Sequence, residues 1–224
     1  MIPTGGNNGW ATEVISTVLL YPRQNDRNLE LALTRKTLVN TVVYAAITVA
    51  DEIEVADLEG NLIERLSAED VLCVDVCFDQ LDRHFVVWEL PDSRIFMRWY
   101  DPNTSAYLTT LIAEGNNPCC QLDDYRDRFI ANSDIFLFYQ RGDRIFYRSQ
   151  RDRYLVEYEV PHTLQDIKLE TCGMGSNLRF TLRVTSIDSI ILCAGQTPIK
   201  AGANYVGLNW GEIPWAKSSS NTET

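Results

Sequence analysis

The sequence is poor in the residues that carry most acid–base catalysis and in the cation that most nucleic-acid-binding proteins use. Its 224 residues include only 2 histidines, His84 and His162, and lysine occurs only at positions 36, 168, 200 and 217. The formal net charge is −11, with a pI near 4.6. Catalytic triads and transition-metal sites rely heavily on histidine, and binding to phosphate backbones requires clustered cations. Both function classes are therefore disfavoured, and we expect no sequence-specific nucleic-acid binding.

Long apolar runs and the common catalytic motifs are also missing. No run approaches the roughly 20 apolar residues of a membrane helix, and residues 1–9 lack the features of a signal peptide. We therefore expect synthesis in the cytoplasm and no membrane insertion. No GxSxG, GxGxxG, Walker, HExxH or EF-hand pattern occurs. The sequence predicts a non-enzymatic protein with no catalytic, cofactor-binding or metal-binding residues.

Cysteine is present, but its spacing does not match a metal site. Cys73 and Cys77 have the even spacing that places two side chains on one face of a strand. A zinc site of the usual kind requires a CxxC pair and a second pair. We predict that the cysteines are reduced and buried as small apolar side chains. The six are Cys73, Cys77, Cys119, Cys120, Cys172 and Cys193.

Carboxylates are abundant enough to keep one enzymatic alternative open. Two acidic clusters have the residue types of a glycoside hydrolase or calcium site. At this spacing they are more typical of solvated loops and strand ends. They are Asp75, Asp79 and Asp82, and Asp123, Asp124 and Asp127.

What the chain does contain is a β-rich pattern between two polar ends. Residues 1–9 form a Gly/Asn-rich N-terminal arm, 10–215 a single β domain, and 216–224 a polar C-terminal tail. Residues 42–49 are rich in β-branched side chains and predict a buried strand, while 53–66 alternate around Gly60-Asn61 and predict a hairpin. The cluster at 25–28 predicts a turn. We predict an all-β fold of antiparallel meanders, propeller-like or a β-sandwich, with only short helical turns such as 67–70 and 123–127.

Two similar hairpins lie fifty residues apart. Residues 85–98 and 135–148 each contain an apolar strand, a turn and the pattern Arg-Ile-Phe-x-Arg, at 94–98 and 144–148. The first strands are apolar without alternation, as expected of strands covered on both faces. The second strands alternate, so that Ile95, Met97 and Trp99 share one face. Residues 178–184 resemble a weaker third copy, and 187–193 predict another strand. A period near fifty is typical of propeller blades.

Over residues 70–160 this pattern resembles the β-propeller and β-meander parts of tail-tube, nozzle and head-to-tail proteins of short-tailed bacteriophages. The resemblance implies a virion structural protein in the tail region, with ring symmetry and no cofactor. Its partners would be other copies of itself in a ring and neighbouring virion proteins. An acidic, lysine-poor surface suits a channel through which DNA slides.

Arginines and tryptophans are the candidate interface residues, because arginine and aromatic side chains are enriched at protein interfaces. Two alternatives to a phage structural subunit stay open: a carbohydrate- or receptor-binding β-module, and the glycoside hydrolase described above. The candidate interface residues are Trp10, Trp210, Trp215, Arg94, Arg98, Arg144 and Arg148.

Overall fold

The computed structural model describes residues 25–27, 30–36, 41–122, 134–174, 180–185, 190–194 and 210–214. These residues form seventeen strands and one 3-10 turn, Gln150–Asp152. All strand pairs are antiparallel and follow chain order, so the predicted all-β fold of meanders is confirmed. Among the described residues, no helix has the length and apolar character needed to cross a membrane.

The first sheet has five strands, and its central members show why the sequence forms them. Val43 and Ala45 of β3 are buried, and the intervening side chains are more exposed, as expected of a strand with one face on the core. Gly60 closes the β4–β5 turn at a φ of +87°, which glycine adopts without strain. The strands are β1 (Asn25–Arg27), β2 (Leu31–Arg35), β3 (Val42–Ile47), β4 (Glu52–Asp57) and β5 (Leu62–Ser67).

The other three sheets are four-stranded meanders that follow one another along the chain. The second comprises β6 (Cys73–Phe78), β7 (His84–Glu89), β8 (Arg94–Asp101) and β9 (Ala106–Glu114). The third comprises β10 (Asn116–Leu122), β11 (Ile135–Arg141), β12 (Arg144–Ser149) and β13 (Tyr158–Val160). The fourth comprises β14 (Lys168–Met174), β15 (Phe180–Thr185), β16 (Ile190–Ala194) and β17 (Trp210–Pro214).

The sheets pack face to face through three apolar layers. Val86 and Trp88 of β7 face the first sheet, whereas Phe85 and Val87 face the third. Phe138 of β11 faces the fourth sheet. Strands β7 and β11 are thus covered on both faces, which explains their unbroken apolar sequences and confirms that prediction.

Strand β2 of the first sheet and the first strands of the other three sheets lie together at the inner edge of the stack. β6 contacts β2, β10 contacts β6, and β14 contacts β10. β1 continues the first sheet beyond β2 and contacts both β6 and β14, so it brings the first sheet against the second and the fourth. This arrangement of sequential meanders around a common inner edge is propeller-like.

The fifty-residue repeat holds for the second strands of the two hairpins but not for the first strands. Trp88 pairs with Phe96, whereas the residue that pairs with Phe146 is Tyr139. The first strands therefore correspond at a shift of 139 − 88 = 51, because the turn in the second sheet is one residue longer. A one-residue slip exchanges the two faces of a strand. The alignment at a shift of fifty was therefore right for the second strands, β8 and β12, and wrong for the first strands, β7 and β11.

Two local predictions were also wrong. Residues 25–27, expected in a turn, form β1, because Asn25 and Arg27 pair with Thr34 and Ala32 of β2. Residues 67–70, expected to be helical, end β5 and enter a turn in which Asp70 has a φ of 56°. The predicted helical turn at 123–127 lies outside the described residues.

Candidate functional site

An ion-pair cluster centred on Arg98 joins the first and second sheets. Glu64 Oε1, on β5, accepts hydrogen bonds from Arg98 Nε at 3.0 Å and Nη2 at 2.6 Å. Glu64 Oε2 lies 2.5 Å from His84 Nε2. The imidazole of His84 stacks on the ring of Tyr107 at 4.3 Å between centroids, and Arg98 Nη1 donates to the Tyr107 carbonyl at 3.0 Å. The cluster ties the outer strand of the first sheet to three strands of the second.

The surroundings shift the pKa values of two members of this cluster, Glu64 and Tyr107. Burial by itself raises the pKa of Glu64, but the hydrogen bonds from His84 and Arg98 outweigh it, and the pKa lies below its usual value. Burial raises the pKa of Tyr107. A glutamate that stays ionised and a tyrosine that stays protonated are suited to holding strands together, and neither is poised for proton transfer.

A second cluster, centred on Arg148, lies within the third sheet. Arg148 Nε donates to the Tyr139 hydroxyl at 3.0 Å, and Nη1 donates to the Tyr154 carbonyl at 2.8 Å. Arg148 Nη2 lies 3.2 Å from Glu157, which also accepts from Tyr139 and Arg141. Burial raises the pKa of Tyr139 to about 12. This cluster holds the connection before β13 against β11 and β12.

Three neighbouring connections form what we call the loop surface, residues 79–83, 101–105 and 150–157. Arg83 stacks over the ring of Tyr100 at 4.4 Å. Asp101 Oδ2 accepts from Arg153 Nη2 at 2.7 Å, which links the second sheet to the third. Beside these contacts Leu81 is 53% exposed and Leu155 is 76% exposed.

The guanidinium groups of the loop surface already have carboxylate partners. Arg83 pairs with Asp79 at 2.5 Å, and Arg153 pairs with Asp101. The surface therefore combines exposed leucines, aromatic rings and neutralised arginines, a composition typical of the centre of a protein interface.

The four predicted interface arginines divide into two exposed and two internal ones. Arg94 pairs with Asp92 at 2.6 Å, and Arg144 Nε donates to Glu159 at 2.8 Å; both arginine side chains are substantially exposed. Arg98 and Arg148 are mostly buried in the two clusters. The sequence pattern Arg-Ile-Phe-x-Arg thus supplies one surface and one internal arginine in each hairpin.

None of the three predicted interface tryptophans has a described side chain. Trp210 begins β17, and its side chain is not described. Trp10 and Trp215 lie outside the described residues.

Two of the six acidic residues that kept a hydrolase open, Asp75 and Asp79, accept hydrogen bonds within the fold. Asp75 Oδ2 accepts from the Cys120 backbone N–H at 2.8 Å, and Asp79 Oδ1 accepts from the Leu81 and Arg83 backbone N–H groups. Asp123, Asp124 and Asp127 lie outside the described residues.

The described cysteines are packed in the interior, and His162 is hydrogen-bonded within its own loop. The five cysteines whose side chains are described are buried and not disulfide-bonded, and the side chain of Cys193 is not described. His162 accepts a hydrogen bond at Nδ1 from the Leu164 backbone N–H at 3.3 Å. In the part of the chain that the structure describes, no three His, Cys, Asp or Glu side chains are grouped to hold a metal ion.

Two buried polar residues that sequence analysis missed connect successive sheets at equivalent positions. Glu89 accepts from Asn116 Nδ2 at 2.8 Å and from the Asn117 backbone N–H at 2.7 Å, at the start of the third sheet. Gln140 accepts from the Leu169 N–H at 2.8 Å and donates to the Ile167 carbonyl at 2.6 Å, at the fourth sheet. The missed signal is a polar residue that ends an apolar strand just before a turn.

Comparison with known proteins gives limited information. No protein-family model and no curated protein matches this chain. Among solved structures it is similar to an auxiliary nutrient binding protein from Bacteroides thetaiotaomicron, with 10% identity and a TM-score of 0.45. The match covers 72% of this chain and 37% of that chain, so this chain spans little more than a third of the other's length. Similarity at this level assigns no function.

Proposed function

We propose that this protein is a non-enzymatic structural subunit of a phage-like particle, a ring-forming tail or head-to-tail component. The observation that carries the proposal is the loop surface, where Leu81 and Leu155 are exposed beside arginines that have in-chain partners. Exposed apolar groups beside neutralised arginine and tyrosine are favourable for contact with protein and add little attraction for free anions. The surface is thus suited to a neighbouring subunit.

The internal clusters support the same role. The Glu64–Arg98 and Asp101–Arg153 pairs each link two successive sheets. Paired carboxylates with lowered pKa values, such as Glu64 and Glu157, favour a rigid scaffold over proton-transfer chemistry. A subunit of a ring benefits from such rigidity, because small angular errors between copies prevent closure.

Mass photometry and negative-stain electron microscopy of the purified full chain test the proposal. The expected result is a closed ring of identical copies, which Leu155→Glu converts to smaller species because it places a charge in an apolar contact. Leu62→Glu is the matched control: Leu62 is also exposed, at 52%, but lies at the start of β5 outside the loop surface. A monomeric wild-type protein that is absent from every particle preparation contradicts the proposal.

A carbohydrate- or receptor-binding β-module is the second candidate function. It is favoured by Tyr100 and Tyr107, whose half-buried rings meet edge to face at 5.4 Å beside the polar connection 101–105. Aromatic rings next to polar groups are a common platform for sugars. A glycan array probed with wild type and Tyr100→Ala tests it: binding by wild type alone supports this function, and no binding by either removes it.

A further inference from the structure

We propose that Cys77 and Cys120 are a redox pair, which hydrogen peroxide converts to a disulfide that locks the second sheet to the third. Cys77 lies on β6 and Cys120 on β10, the neighbouring first strands of those two sheets. Both side chains are almost fully buried in the apolar layer between the sheets. The inference goes beyond the proposed function, since it concerns the subunit by itself, whatever the loop surface contacts.

The backbone brings the two side chains to the same point of this layer. Alternation along β6 places Asp75 and Cys77 on the face toward the third sheet, because the intervening Val76 packs toward the first. Asp75 Oδ2 accepts from the Cys120 backbone N–H at 2.8 Å, so β10 lies against this face of β6 at Cys120. The Cys120 thiol also donates a hydrogen bond to the Cys77 sulfur. The two thiols are therefore in contact across the sheet interface before any oxidation.

The other described cysteines are placed differently. Cys119, next to Cys120 on β10, faces the layer between the third and fourth sheets, where Cys172 of β14 also packs. The Cys73 thiol donates to Glu89 Oε2 at 3.4 Å. Cys119 and Cys172 share a layer as Cys77 and Cys120 do, so they are the competing pair that a test has to distinguish.

The surroundings give the two thiols different roles in the oxidation. Burial raises the pKa of both, and more strongly for Cys120, whereas the hydrogen bond from Cys120 partly offsets the rise in the pKa of Cys77. Cys77 is therefore the readier thiolate: its sulfur attacks the peroxide, the O–O bond breaks, and a sulfenic acid and hydroxide form. Cys120 then attacks the sulfenic sulfur, and the S–S bond forms with loss of water. In sum, the thiols lose two protons and two electrons, and the peroxide is reduced to two waters.

The cross-link makes the stability of the subunit depend on its redox state. It spans 120 − 77 = 43 positions, which include β7, β8 and β9. Closing a segment of this length lowers the conformational entropy of the unfolded chain and so favours the folded one. In a reducing cytosol the pair stays a dithiol, and the second and third sheets are then held together by non-covalent contacts alone.

Peroxide treatment of the folded full chain, followed by non-reducing peptide mapping, tests the pair. We expect a peptide that links Cys77 to Cys120, an intact mass lower by two hydrogens, and a urea midpoint raised by about 1 M, all reversed by dithiothreitol. The variant C120A should instead accumulate a sulfenic acid on Cys77, which dimedone labels, and C77A should give neither product. C172A is the matched control, because Cys172 is equally buried but packs in the next layer; it should cross-link like wild type.

Each outcome decides the proposal once circular dichroism shows that the variants are folded, and the wild-type map decides it without them. A wild-type chain that keeps both thiols after treatment, or that links Cys119 to Cys172 instead, overturns it. A cross-link that forms only in urea overturns it too, and a dimedone label on Cys120 in C77A overturns the assigned roles. No readout depends on assembly. A monomeric chain that cross-links therefore contradicts the proposed function alone, and a ring whose subunits do not cross-link contradicts this inference alone.

Discussion

The hairpins of the second and third sheets share a sequence pattern but use its internal arginine differently. Arg98 reaches Glu64 in the preceding sheet, whereas Arg148 reaches Glu157 in its own sheet. Both arginines also donate to a backbone carbonyl, of Tyr107 and Tyr154 respectively. In both hairpins, therefore, the internal arginine anchors the segment that follows: Arg98 holds β9, and Arg148 holds the connection before β13. The source of the carboxylate decides whether the arginine also joins two sheets.

The largest effect is expected from removing Arg98, and a clearly smaller one from removing Arg148. Arg98→Met leaves Glu64 buried with only His84 beside it, and should lower the free energy of unfolding by about 3 kcal/mol. Arg148→Met leaves Glu157 paired with Arg141 and should cost about 1 kcal/mol. Urea denaturation of both variants measures the difference. Equal losses contradict the distinction between inter-sheet and intra-sheet clusters.

The pH dependence of stability sharpens the same comparison. The folded-state pKa of Glu64 is lowered, so its stabilisation is present above the unfolded-state value of about 4.3 and is lost as pH falls through the folded-state pKa. We expect Glu64→Gln to be less stable than wild type by about 2 kcal/mol at pH 7. Thermal unfolding from pH 7 to pH 3 should show the two proteins converging.

Glu59→Gln is the control for this pH series, because Glu59 is exposed on the β4–β5 turn. It should track wild type at every pH. A gap between wild type and Glu64→Gln that persists at pH 3 shows that Glu64 stabilises by packing and not by charge.

Two tyrosines of the third sheet are expected to differ in sign. The Tyr139 hydroxyl bonds to Arg148 and Glu157, so Tyr139→Phe should destabilise by about 1.5 kcal/mol. The Tyr154 hydroxyl is buried with no hydrogen-bond partner among the described residues, so Tyr154→Phe should be neutral or stabilise by up to about 1 kcal/mol. Urea midpoints distinguish them, and a loss in Tyr154→Phe as large as in Tyr139→Phe refutes this account.

The smallest effects are expected at the exposed arginines of the pattern. Arg94→Ala and Arg144→Ala each remove an exposed ion pair and should leave the urea midpoint of the subunit unchanged, because exposed ion pairs contribute little to stability. If these residues lie in an interface between copies, the variants change the mass of the assembly and not the melting temperature of the subunit. A clear fall of the urea midpoint in the isolated subunit assigns them an internal role.

Much of the fold was predictable from local pattern, and the errors have physical reasons. The alternation at 94–99 correctly indicated that β8 has one covered face. The continuous apolar sequences of β7 and β11, the first strands of the two hairpins, correctly indicated two covered faces. The polar sequence at 25–28 suggested a turn, but backbone pairing with β2 overrides the weak preference of three polar residues. The candidate site was less predictable, because Arg98 and Arg148 have the same sequence context as surface arginines.

The sequence by itself determined the all-β class, the order of the meanders and the apolar faces that stack them, because side-chain periodicity follows directly from strand geometry. Only the tertiary structure decided that the hairpins correspond with different shifts, since turn length sets register. It also decided that Glu64 meets Arg98 across 34 positions of chain and that Glu89 and Gln140 join successive sheets. Such contacts depend on how the sheets pack against one another, and that packing leaves no local periodicity in the sequence.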